Sequence, residues 1–277
     1  MSGEGAGSGA VPILMYHAVG HRPADGAYGL SVSPGAFRTQ MEILARRGFT
    51  PLTTAALGES WRTGRPLPPR PVLITFDDGY EGVHRHALPE LAEHGFAATV
   101  FVTTGWLRGA YDEGGALDTM LDWGQVRELA SVGVEIGGHS HTHPQLDQLD
   151  DAVLRAETVR CREIVEAEMG APPVSFAYPY GYSTRRVRQS VRAAGFAQSL
   201  AVGNALARRR QGPYALERVT VRRSTGPAEF ARLVEGRAVA RAFGVDRALT
   251  KGFAVVRGAR RTRRAFGGSG PAAGSIR

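Results

Sequence analysis

Two short runs of this sequence carry residue types that do hydrolytic chemistry: Thr75-Phe76-Asp77-Asp78-Gly79 and Gly138-His139-Ser140-His141-Thr142-His143-Pro144. Successive strand residues point to opposite sides, so adjacent carboxylates at a strand end can take different jobs. One can ligate a metal while the other faces a substrate. By itself Asp-Asp-Gly is a common turn, because both residue types suit turns. In the second run, three of the chain's eight histidines fall within five residues. Imidazoles four positions apart can meet one ion if the segment coils into a turn. His141 then points elsewhere, to solvent or to the groups around the ligands. A His-rich loop is otherwise a polar surface turn. Together, Asp78, His139 and His143 supply two imidazoles and a carboxylate. That is a catalytic donor set with open positions for water and substrate. Asp77 is then free to act as general base.

A third run, Phe176-Ala177-Tyr178-Pro179-Tyr180-Gly181, gathers aromatic rings around Pro and Gly at a strand end. Tyr178, Pro179, Tyr180 and Gly181 suit a substrate-binding floor for a sugar, with an exposed backbone N–H able to hold an oxyanion. The competing reading is core packing at a Pro-Tyr-Gly turn. Trp61, Trp106 and Trp123 are equally open, as groove walls or as core.

Stepping between these runs are the elements that must hold them. Val11–Met15 and Pro71–Phe76 read as buried strands, the second apolar on both faces and ending at Asp77. Further strands are expected at 49–53, 97–103, 134–137, 174–178, 197–202 and 216–221. Ser33-Pro34 opens a helix that Gly48 stops. Others run through Leu88 and Leu91 to Gly95, from an Asp122/Gln125 capping box, over 150–170, over 183–195, and over 227–243. Strands alternating with helices predict parallel β-structure with crossover helices. Seven or eight such units favour a barrel-like closure over an open sheet. Asp77, His139 and Pro179 all follow strand C-termini, the rim where chemistry collects in α/β barrels.

The three runs, in this order, resemble the polysaccharide deacetylases of carbohydrate esterase family four, the NodB-like domain. Thr75–Gly79 is similar to the family's TFDDG motif, His139–His143 to its H-[ST]-x-x-H motif, and Phe176–Gly181 to its third motif. The resemblance implies a distorted (β/α) barrel of about seven strands in a single domain. It implies a metal-dependent hydrolase that removes acetyl groups from N-acetylated sugars or polysaccharide. The divalent ion expected is zinc, with cobalt or nickel as alternatives. Asp78, His139 and His143 match the ligand positions, Asp77 the base, and the Tyr180 backbone N–H the oxyanion donor. Two departures stand out. The family's third motif carries an Arg where this chain has Ala177, which leaves Arg218, Arg222 or another device to orient the base. The late general-acid His is also missing, since no His follows His143. The opening Pro12-Ile13-Leu14-Met15-Tyr16-His17 resembles the circularly permuted poly-N-acetylglucosamine deacetylases, in which a His after the first strand takes the acid position. His17 is that residue here. Two other readings use the same fold: a deacylase of a small-molecule amide or sugar conjugate, and a non-catalytic glycan-binding protein.

The 277 residues are 43% hydrophobic and 22% charged, which supports a sizeable core. The net charge of +8 is uneven: 237–277 hold ten Arg/Lys and one acid, leaving 24 against 25 in residues 1–236. The basic tail is suited to an anionic surface, and nothing in it reads as a specific nucleic-acid module. A single cysteine, Cys161, excludes an intrachain disulfide. The sequence predicts a flexible N-terminus (1–10), a catalytic domain (11–225), a C-terminal helix (226–244) and a disordered basic tail (245–277). With no apolar leader or membrane-length run, a cytoplasmic location is expected.

Overall fold

The run Pro71–Phe76 is apolar on both faces, so it must be covered on both. The computed structural model of the chain describes residues 9–237 and 239–244. In it the strands are β1 (Ala10–Val11), β2 (Ile13–Tyr16), β3 (Thr50–Leu52), β4 (Pro71–Phe76), β5 (Thr99–Val102), β6 (Glu135–Gly138), β7 (Ser175–Ala177), β8 (Gln198–Leu200), β9 (Ala207–Arg208) and β10 (Val219–Thr220). The main sheet is parallel throughout, in the order β10-β2-β4-β5-β6-β7-β8, with β3 beside the first half of β4. A parallel bridge between Leu200 and Leu216 ties the far edge to the segment that runs on into β10. This curled, irregularly closed sheet is the expected distorted barrel.

The helices are α1 (Asp25–Tyr28), α2 (Pro34–Arg46), α3 (Thr54–Thr63), α4 (Leu88–His94), α5 (Trp123–Ser131), α6 (Asp151–Met169), α7 (Arg185–Ala193), α8 (Pro227–Val234) and α9 (Val239–Ala242). Their starts follow the capping residues: Ser33 accepts from the Ala36 N–H, Asp122 and Gln125 form the capping box, and Asp150 accepts from the Val153 N–H. The helix expected over 226–244 is broken, because Gly236 turns the chain at φ 68° between α8 and α9. Phe230 and Val234 of α8 pack into the main core. Helix α3, capped by Thr53 and ended by Gly64, was not expected. Of the expected flexible terminus only 9 and 10 fall in the described residues, and Ala10 pairs with Arg208. The predicted tail, 245–277, lies outside them. No helix among the described residues is long and apolar enough to cross a membrane.

The period of two along the strands sorts the core into layers. On β4, Val72, Ile74 and Phe76 join the cluster beneath the helices, while Leu73 joins Ile13, Phe101, Ala177 and Leu200 in a second cluster. Thr75 and Asp77 continue the Leu73 side. On β6 the same parity carries Gly137 and His139. A side chain at Gly137 would place its Cβ 2.5 Å from the Phe101 ring and 2.9 Å from the Ser175 carbonyl oxygen, so the strand that delivers His139 must be bare there.

Candidate active site

Asp77 is 2% exposed, and Arg218 is fully buried against it. The guanidinium donates to both carboxylate oxygens, 2.6 Å to Oδ1 and 2.7 Å to Oδ2. It also donates to the Ala201 carbonyl at 3.2 Å and the Thr75 hydroxyl at 3.4 Å. Burial alone would raise the Asp77 pKa, but Arg218, His139 and His17 outweigh it and hold the carboxyl below its ordinary range. Arg218 therefore occupies the orienting role that Ala177 leaves open. Arg222 lines the cleft instead.

Asp78 turns out of the strand at φ 74°. Its Oδ1 lies 3.2 Å from His139 Nε2 and 3.3 Å from His143 Nε2. The three candidate ligand atoms lie within 4.8 Å of one another. Oδ1 is buried and receives no hydrogen bond among the described residues. His139 Nδ1 is 2.8 Å from the Ala177 carbonyl oxygen, which can only accept, so Nδ1 carries the proton and Nε2 faces Asp78. Two imidazole nitrogens and an orphaned carboxylate oxygen converge on one point, and a divalent cation fits that donor set. Without one, burial pushes His139 down, yet Asp77 and Asp78 prevail and raise its pKa. Asp78, buried but beside two imidazoles, falls well below the carboxylate range.

Backbone strain collects here. Of six described non-glycine residues with positive φ, Asp78, His143, Tyr180 and Asn204 line the cleft and Ser140 lies between the two candidate ligands His139 and His143. Such conformations persist only where their surroundings impose them. Glu157 of α6 accepts from the His141 N–H and the Thr142 N–H at 2.9 Å each and from the Thr142 hydroxyl at 2.6 Å. The Ser140 hydroxyl oxygen accepts from the His143 N–H at 3.0 Å. His141 is buried among supporting groups, 2.8 Å from the Thr104 hydroxyl and 2.9 Å from Glu113, which Arg160 also holds at 2.8 Å. Glu157 had no sequence signal, because its role depends on which helix face meets the loop.

The cleft has a volume of about 610 Å³ and is lined by His17, Asp77, Asp78, His139, His143, Tyr180 and Gly181, among others. His17 Nδ1 is buried without a hydrogen-bond partner among the described residues. Burial lowers the His17 pKa against the opposing pull of Asp78 and Asp77. Trp106 and Tyr180 flank the His143 ring, with centroids 4.7 and 4.9 Å away. Tyr80, buried beside Asp78, also lines the cleft and was not expected. The third run needs correction. Tyr178 borders the cleft but is fully buried, its hydroxyl 2.5 Å from Ser199 Oγ and donating to the Tyr214 carbonyl at 3.1 Å. Pro179 is buried as well. The part of the run that opens onto the cleft is Tyr180, 52% exposed, and Gly181. Trp123 is core, and Trp61 lines a separate hollow.

A profile described as polysaccharide deacetylase matches residues 64–199, which include Asp77, Asp78, His139 and His143 but neither His17 nor Arg218. The chain is 25% identical over 225 residues to YxkH of Bacillus subtilis (strain 168), provisionally named a polysaccharide deacetylase, covering 81% of this chain and 76% of that one. It is 25% identical over 256 residues to the poly-beta-1,6-N-acetyl-D-glucosamine N-deacetylase of Escherichia coli (strain K12), covering 80% of this chain but 38% of that protein. Among solved structures, the Streptococcus pyogenes deacetylase PplD, in complex with acetate, superposes with a TM-score of 0.73 at 22% identity, covering 81% of this chain and 98% of that one. IcaB from Ammonifex degensii gives 0.70 at 23% identity, covering 82% and 98%. These two likenesses establish the fold.

Proposed function

The chain belongs to the polysaccharide deacetylase family, and from that premise we propose that it removes acetyl groups from N-acetylated glycans or sugar conjugates. The observation that carries this reading is the pairing of two sites. One is the convergent Asp78, His139 and His143 with its orphaned oxygen; the other is the Arg218-held Asp77 beside it. The family is metal-dependent, and two imidazoles with one carboxylate favour zinc, with cobalt or nickel as alternatives. Bound there, the ion would polarise the acyl carbonyl and make a water easier to deprotonate.

The chain's own residues then divide the work. Asp77, ionised at neutral pH and fixed by Arg218, takes a proton from the attacking water. The Tyr180 backbone N–H steadies the developing oxyanion. His17, just past the end of β2, the strand beside β4, delivers a proton to the leaving nitrogen. The intact donor set disfavours a non-catalytic glycan-binding role. The E. coli relative's name suggests a poly-N-acetylglucosamine substrate, although this chain spans less than half of that protein.

The test combines metal analysis with acetate release. Protein stripped of metal and reloaded with zinc, cobalt or nickel is given N-acetylglucosamine oligomers. Metal-dependent acetate release is expected. Bound metal with release only from small N-acetyl conjugates would move the substrate to the small-molecule class. No stoichiometric metal would overturn the catalytic reading.

A further inference from the structure

Trp106 lines the cleft, yet the hydrolytic machinery gives it no task. It is only 6% exposed. A buried indole N–H normally finds an acceptor, because a donor left unmet costs free energy. Trp106 Nε1 donates to no described residue. Trp123 Nε1 is also without a partner, but it is sealed inside the core, and Trp106 Nε1 is not sealed. That nitrogen lies beside Gly115, which lines the cleft as well. A Cβ on Gly115 would sit 3.3 Å from it, so the bare glycine, at φ 86°, leaves the N–H open to the cleft. Tyr178 shows the contrast, with its hydroxyl bonded to Ser199 Oγ and the Tyr214 carbonyl inside the protein.

The indole is held in place from several sides. The Trp106 backbone N–H donates to the Thr103 carbonyl at 2.9 Å. The preceding Gly105 donates to the His141 carbonyl at 2.7 Å and accepts from the Glu113 N–H at 2.7 Å. A side chain at Gly105 would put its Cβ 2.7 Å from the same His141 oxygen, so this approach requires glycine. The Trp106 ring packs against His143, with centroids 4.7 Å apart and planes inclined at 33°. Trp106 is thus tied to the loop that supplies two of the candidate metal ligands. A donor already fixed in position loses little freedom when a ligand arrives.

An indole N–H donates and never accepts, so its partner on a substrate must be an acceptor. In the deacetylase reading the acyl oxygen meets the Tyr180 N–H and the leaving nitrogen meets His17. The acceptors that remain on an N-acetyl sugar are its hydroxyl and ring oxygens. We propose that Trp106 is a specificity-determining residue whose Nε1–H donates to an oxygen of the sugar. The cleft thereby prefers an acetyl group carried on a sugar to one carried on a skeleton without oxygens. A site built to bond a substrate oxygen rejects the analogue that lacks it, because its own donor is then left unmet. This rests on the deacetylase reading and narrows its substrate class.

Benzothienylalanine placed at position 106 alone exchanges the N–H for a sulfur in a ring of nearly the same shape, and Trp106→Phe is a second variant. In the metal-loaded protein both should lower kcat/KM on N-acetylglucosamine oligomers about tenfold, mostly through KM, as the loss of one buried hydrogen bond does. Metal-dependent hydrolysis of nitrophenyl acetate, an acetyl ester with no sugar oxygen, should be unchanged. Calorimetric binding of the oligomers to the Asp77→Asn protein, with and without the exchange at Trp106, reads the same loss without turnover. Oligomer kcat/KM that stays within about twofold in the benzothienylalanine protein overturns the proposal. An equal loss on nitrophenyl acetate also overturns it, since the ring would then act only as a support for His143. Weakened oligomer binding on exchange of Trp106, with no acetate released by the unmodified protein, would overturn the deacetylase reading and leave the Trp106 contact standing.

Discussion

Replacing Arg218 with Met removes the cation from a pair in which the two side chains are 0% and 3% exposed, yet roughly preserves its length. Asp77 is then left buried without its partner. Breaking a buried pair from one side costs about 3–5 kcal/mol, a large share of the roughly 5–15 kcal/mol that holds a typical domain folded. The consequence for the base has a definite sign. Burial pushes the Asp77 pKa up and Arg218 is the first group opposing it. Without Arg218 the carboxyl holds its proton to higher pH. The acid limb of kcat/KM should therefore move to higher pH, while the alkaline limb stays. Urea denaturation of the metal-free protein measures the stability loss. In a double-mutant cycle, Asp77→Asn with Arg218→Met should lose less than the sum of the singles, because it leaves neither charge unpaired. Additive losses, or an acid limb that stays in place as stability falls, would refute the argument.

Three further outcomes follow from the same geometry. Asp77→Asn should lower turnover by orders of magnitude while stoichiometric metal remains bound; near-normal turnover would show that another group is the base. Glu157→Gln should weaken metal binding about 10–100-fold, as outer-shell changes do, and a competition titration with a chelator measures it. In metal-free protein Asp77 and His139 should both favour mildly acid solution, opposed by His17, whose lowered pKa costs stability as pH falls below 6.5. Asp77 contributes stability above its ordinary value of 3.8, and this is lost as pH falls through its lower folded value. His139 contributes fully below 6.5 and loses that contribution as pH rises through its higher folded value. A metal held at Nε2 displaces the proton, so denaturation midpoints of the loaded protein should not show the alkaline decline.

The barrel and the convergence of Asp78, His139 and His143 were legible because their signals are local. Pro71–Phe76 is hydrophobic apart from Thr75, and Asp77 and Asp78 follow it directly. His139 and His143 are joined by a single turn. What was not legible depended on long-range packing. The sequence offered Arg218, Arg222 or another device to hold Asp77, and only the path from β8 to β10 decides among them. Glu157 reaches the histidine loop because α6 lies across β6. Tyr178 and Tyr180 look alike in sequence, yet the left-handed backbone at Tyr180 exposes its ring while Tyr178 stays in the core. Helix α3 was missed because Thr53, its cap, reads equally well as the end of a strand.

The departure at Ala177 and the placement of Arg218 are one feature of the barrel. Ala177 belongs to the core cluster that contains Phe101, and the Arg218 guanidinium lies 5.8 Å from the Phe101 ring centroid. Arg218 already bonds both oxygens of Asp77, so a second guanidinium at 177 would be a buried cation with no anion to meet. The barrel can take the arginine from β7 or from the approach to β10, but has charge compensation for only one. Ala177→Arg should therefore destabilise the protein strongly by itself. Combined with Arg218→Ala, which removes the competing cation and its volume, it should cost less than the two losses added. If the two losses simply add, the positions are independent, and Ala177 is small for a packing reason unrelated to Asp77.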